Sequence, residues 1–98
     1  APTQPDELMI TAEGSGTICL QWKRSKARPA ATVRNYIVER CQNDAGGEPL
    51  TDWQLVATSL NPEARLEDQP RGINLGYRVK AVNTAGESIP SNTVTAVL

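Results

Sequence analysis

Apolar residues recur at every second position through most of the chain. Leu8, Ile10 and Ala12 alternate with Met9 and Thr11, and Ile18, Leu20 and Trp22 alternate with Cys19 and Gln21. Tyr36 and Val38 alternate with Ile37 and Glu39; Trp53, Leu55 and Ala57 follow, then a short run at Ala64 and Leu66. Leu75, Tyr77, Val79 and Ala81 are set against Gly76, Arg78 and Lys80, and Val94, Ala96 and Leu98 close the chain. Side chains two apart share one face of an extended strand, so this pattern predicts strands with one buried face. No stretch places apolar residues at i, i+3, i+4 and i+7 behind a cap, so no long helix is expected. Turn residues fall between the runs: Gly14-Ser15-Gly16, a polar loop from Lys23 to Thr32, Gly46-Gly47, Asn61-Pro62, Pro70 with Gly72, and Gly86. Proline fixes φ and glycine permits positive φ, which is what such connections need. Roughly seven short strands with this punctuation predict an all-β, antiparallel β-sandwich. Residues 1–5 read as linker, because Pro2 and Pro5 cannot both pair in a ladder, and residues 6–98 as one domain.

Composition narrows the function more than it names one. With 10 Lys plus Arg against 11 Asp plus Glu, the net charge is −1, which argues against bulk attraction to nucleic acid. No apolar run is long enough to insert into a membrane as a helix, and no basic leader with an apolar stretch opens the chain, so no signal peptide is expected within it. The chain starts at Ala1, as a piece of a longer protein would. There is no His, which removes the commonest general base and zinc ligand. No metal, cofactor or catalytic residue is expected: the five serines have no His to activate them, and no Gly-x-Ser-x-Gly or phosphate-cradling glycine loop occurs.

Two cysteines cannot supply four soft ligands, and their parity argues against a bridge. Cys19 lies opposite in phase to Leu20 and Trp22, and Cys41 to Tyr36 and Val38. Both therefore point outward; if their strands belong to opposite sheets, layers about 10 Å apart hold the thiols too far from each other for a disulfide. Two free, inert, surface-side thiols are expected. Arg40 flanks Cys41 but points to the other face, so it does not activate that thiol.

The ordered motifs resemble a fibronectin type III domain. Leu20-Gln21-Trp22 is similar to the family's second strand, Tyr36-Ile37-Val38-Glu39 to its third, and Trp53-Gln54-Leu55-Val56 to the strand after it. The most specific segment is Tyr77-Arg78-Val79-Lys80-Ala81-Val82-Asn83-Thr84-Ala85-Gly86-Glu87-Ser88, followed by Pro90-Ser91. The resemblance spans about residues 5–97. It implies sheets A-B-E and C′-C-F-G in the family's lettering, termini at opposite ends, and a non-catalytic module of a larger protein. One departure is clear: Leu75 stands where the family has its corner tyrosine, and Gln69 near its apolar plug. Packing of Leu75 or Ile73 at the base of the core is expected to hold that corner instead.

Candidate chemistry is sparse. Lys23, Arg24, Lys26, Arg28 and Arg34 hold five of the ten basic residues with no acid among them. They mark a possible anion- or partner-binding loop, beside the F–G loop in the family fold; the plainer reading is a solvated loop. Arg71-Gly72-Ile73 lacks the carboxylate of an integrin-binding tripeptide, and Glu67-Asp68 diverge along a strand rather than sharing a proton. The expected function is a monomeric spacer, adhesion or protein- or polysaccharide-binding module between neighbouring domains. Absent bridges and Asn-x-Ser/Thr sequons tilt the source towards a secreted or surface bacterial protein. The alternative is an intracellular scaffold module of a giant muscle-type protein, which the free thiols suit.

Overall fold

The computed structural model describes residues 4–24 and 33–98. Its elements are β1 (Asp6–Gly14), β2 (Thr17–Lys23), β3 (Asn35–Asn43), β4 (Gln54–Ser59), β5 (Glu63–Leu66), β6 (Asn74–Asn83), β7 (Gly86–Glu87) and β8 (Val94–Val97). One sheet runs β1-β2-β5. The other runs β4-β3-β6-β7, with β8 also on β6, and every pairing is antiparallel. This is the expected all-β sandwich. Between the sheets lie Leu8, Ile18, Leu20, Trp22, Tyr36, Val38, Leu66, Leu75, Tyr77, Val79, Ala81 and Ala96, each at most 7% exposed. The alternation of β2, β3 and β6 therefore reads directly onto the core. In β1 it fades: Ile10 is half-buried and Ala12 exposed, because the register with β2 shifts between them.

Two corrections concern the strands. Trp53, Leu55 and Ala57 do not share a face. Val38 pairs with Ala57 but Glu39 with Leu55, so Val56 is an extra residue in β4. A bulge of this kind reverses the phase of the side chains beyond it. Ala57 and Val56 pack on the core, whereas Leu55 is 58% exposed.

The seventh strand is also broken into β7 and β8, with Ser88-Ile89-Pro90-Ser91 between them. The backbone amides of Ser88 and Ser91 donate to the carbonyls of Ala81 (2.8 Å) and Val79 (2.8 Å). In return the amides of Ala81 and Val79 donate to the Ser88 and Ser91 hydroxyls, at 2.9 and 3.0 Å. Each serine thus replaces a ladder carbonyl with its side-chain oxygen, and two buried donors that would otherwise be orphaned are satisfied. Gly86 takes φ 131°, as the preceding turn requires.

The corner before β6 is built by packing and by polar contacts together. Leu75 is fully buried, as expected, and Ile73 packs partly buried against the core. Gln69, in place of the apolar plug, accepts at one oxygen from the Tyr77 hydroxyl (2.7 Å) and from Arg40 (2.8 Å). Burial pushes the Tyr77 phenol up to about 12, so it stays protonated and donating near neutral pH.

Strand directions fix the ends. β1 starts beside Lys23, and β8 finishes beside Asn74 at the opposite end, next to the β1–β2 turn and the β5–β6 connection. The chain therefore enters at one end of the sandwich and leaves at the other. Pro5, just ahead of β1, is fully buried.

Candidate functional site

The entry end gathers the start of β1, the end of β2, the start of β3, the β4–β5 turn and the β6–β7 turn. Of the candidate basic residues, Lys23, Arg24 and Arg34 stand there exposed; Lys26 and Arg28 lie outside the described residues. Lys23 is not a free cation. Its ammonium sits 2.6 Å from the Glu7 carboxylate, which raises the lysine above its usual range through the hydrogen bond first and the opposite charge second. Both groups are well exposed, so this pair adds little to stability. Arg24 and Arg34 form no ion pair with a described residue. The Arg34 backbone is anchored to Val82 at 2.8 Å, and its side chain borders a groove with Ser59 and Leu60, the latter 75% exposed. Sequence reasoning brought these residues to one loop; it did not foresee the Glu7 contact, which arises where the β1–β2 register shifts after Asp6.

A second cluster covers the outer face of the larger sheet. Arg78 pairs with Glu39 at 2.7 Å and lies over the Trp53 ring, 4.2 Å from its centroid. Lys80 stands 3.5 Å from both Glu39 and Glu87. Stacking on an aromatic face suits a guanidinium, so Arg78 helps to hold Trp53 on this face. Gly76 permits this: a Cβ there would lie 3.3 Å from the Trp53 ring and 3.1 Å from the Cys41 sulfur. Cys41 is therefore not surface-side. It faces outward as its parity requires, but it is 2% exposed: its thiol donates to the Asn43 side-chain oxygen at 3.3 Å, and the Trp53 ring lies with it over Gly76. Burial raises its thiol, against weaker opposing effects from the Gly76 backbone and Arg78. Cys19 is half-buried and the two thiols are unbridged. A thiol reagent added to the native chain is expected to modify Cys19 alone. Trp53→Ala should open Cys41 to the same reagent while the fold persists, as read by mass spectrometry.

No arrangement among the described residues supports catalysis. Among the described residues, no group of three Cys, Asp or Glu side chains converges to hold a metal ion. Arg71 is tied to the Ser15 carbonyl at 2.9 Å, and Glu67 pairs with Arg65 at 3.2 Å. The groove between edge strands β4 and β5 is floored by Leu20, Ala57, Ala64 and Leu66 and offers no nucleophile with a base.

No family model matches the chain. It is 31% identical over 94 residues to a titin homolog of Caenorhabditis elegans, covering 96% of this chain and a share of that protein that rounds to 0%. It is 29% identical over 89 residues to the cardiac-type myosin-binding protein C of Gallus gallus, covering 89% of this chain and 7% of the relative. The chain thus spans less than a tenth of the length of either. A domain of human fibronectin type III domain containing protein 3 superposes with a TM-score of 0.77 at 22% identity, over 97% of this chain and 84% of that one. Sheet order and this superposition agree: the chain has the fold of a fibronectin type III domain.

Proposed function

We propose that the chain is a spacer module of a large, muscle-type intracellular scaffold, passing tension and fixed distance between neighbouring domains. The observation that carries this reading is that β1 starts and β8 finishes at opposite ends of the sandwich, whose longest extent is 42 Å. The titin-like and myosin-binding relatives favour this alternative over the secreted bacterial reading drawn from missing sequons and bridges. Residues 1–5 are taken as the linker from a preceding domain, with Pro5 as the point where it meets the sandwich. Tandem copies joined through their natural ends test the idea by X-ray scattering. Maximum dimension should grow by a constant increment per copy, and a chain of copies that folds back to a compact body would reject it.

Arg24 and Arg34, exposed at the entry end and without an ion pair among the described residues, favour a second role beside the first. Together with Lys23, Lys26 and Arg28 they would meet an acidic surface of a protein or polysaccharide partner, with monomeric modules as the binding unit. Replacing Arg24 and Arg34 by Ser should weaken retention on a sulfated polymer; unchanged retention would remove this role.

A further inference from the structure

The first and last strands belong to different sheets, so no backbone ladder joins them. Among the described residues, the Asn92 side chain hydrogen-bonds β1 to the segment that leads into β8. The Leu8 amide donates to the Asn92 side-chain oxygen at 2.9 Å, and the Asn92 amide group donates back to the Leu8 carbonyl at 3.0 Å. Asn92 therefore reproduces the two-bond exchange of an antiparallel residue pair, across the open flank of the sandwich. Leu8 is buried in the core, and Asn92 stands two residues ahead of β8.

β1 and β8 run in the same direction, from the entry end to the exit end. Tension applied at the two termini pulls β1 back towards the entry end and β8 towards the exit end. The strands are then driven past each other along their length, and the Leu8–Asn92 bonds that cross between them are loaded in shear. We propose that the Asn92 side chain is a mechanical clamp, holding the two terminal strands together when the chain is under tension. Two bonds broken together resist more than either broken in turn, because neither can yield while the other holds the register. This inference rests on the spacer reading for its purpose but not for its test.

Single-molecule force measurements on the 98-residue chain, held by its termini at fixed force, decide it. Asn92→Ala should shorten the lifetime on the order of 10-fold, the effect of losing two hydrogen bonds. Gln69→Ala is the control: it removes the bonds to Tyr77 and Arg40, which lie on neither terminal strand. It should shorten the lifetime much less than Asn92→Ala. Asn92→Asp keeps the acceptor for the Leu8 amide and loses the donor, so it should fall between Ala and the native residue, and it serves if Asn92→Ala does not fold. A lifetime unchanged in Asn92→Ala, or shortened no more than in Gln69→Ala, would overturn the clamp. If the tandem copies fold back while the lifetimes behave as expected, the clamp stands and the spacer reading alone is lost.

Discussion

Trp22→Ala is expected to remove about 3–5 kcal/mol of stability, the usual cost of deleting a large buried aromatic. The ring is 3% exposed and meets Tyr36 edge to face, with centroids 5.4 Å apart and planes at 68°. It spans from β2 to β3 and so bridges the two sheets. Domains of this size have about 5–15 kcal/mol in total, so the variant should sit near the edge of folding. Its melting temperature should fall by roughly 12–40 °C, at about 4–8 °C per kcal/mol. Trp22→Phe separates shape from polarity. The indole N–H has no hydrogen-bond partner among the described residues, and a buried unpaired donor costs about 1–3 kcal/mol. Phenylalanine removes that donor while keeping a ring against Tyr36, so its loss should be much smaller than that of alanine. Urea denaturation of the two variants gives the comparison. A loss below about 1 kcal/mol for Trp22→Ala would mean that the ring does not pack between the sheets.

Ser88→Ala combined with Ser91→Ala should be nearly as damaging. The double variant strips the acceptors from the buried amides of Ala81 and Val79, in the middle of the central strand β6. Leaving each donor unpaired costs about 1–3 kcal/mol, hence about 2–6 kcal/mol together. Both hydroxyls also donate onward, to the carbonyls of Ile89 (2.8 Å) and Asn92 (2.9 Å), so each serine is fully used. Threonine at either position keeps the oxygen and should recover most of the loss, which alanine cannot do. Equilibrium unfolding of the double alanine and double threonine variants distinguishes the two. Equal stability of the alanine double variant and the native chain would show that the amides have other partners.

The core was legible because alternation is a direct record of burial on one face: Ile18, Leu20 and Trp22, and Leu75 through Ala81, all lie where their parity puts them. What parity cannot record is whether the other face is covered. Cys41 pointed outward as read, and the error lay in equating outward with exposed. The signal was present in Gly76, a glycine inside a strand, which marks a close approach by something bulky. Trp53 and Leu55 were misplaced because a single bulged residue reverses the phase and leaves no mark in composition. Ser88-x-Pro-Ser91 was visible as a motif. Its purpose was not, since a missing ladder carbonyl is a property of the pairing and not of the residues. Gln69 showed itself only as a departure, and the contacts to Tyr77 and Arg40 needed the third dimension. The basic loop was found by charge alone, and charge alone could not tell that Lys23 is already occupied by Glu7.

Closure of the larger sheet around a dry interior is what makes a rigid body of this chain, and amide hydrogen exchange on the native protein measures it most directly. The amides of Val79 and Ala81, which face serine oxygens rather than carbonyls, should exchange as slowly as the other core amides of β3 and β6, by global unfolding only. Exchange of those two amides at the rate of the exposed turns would contradict the closed sandwich.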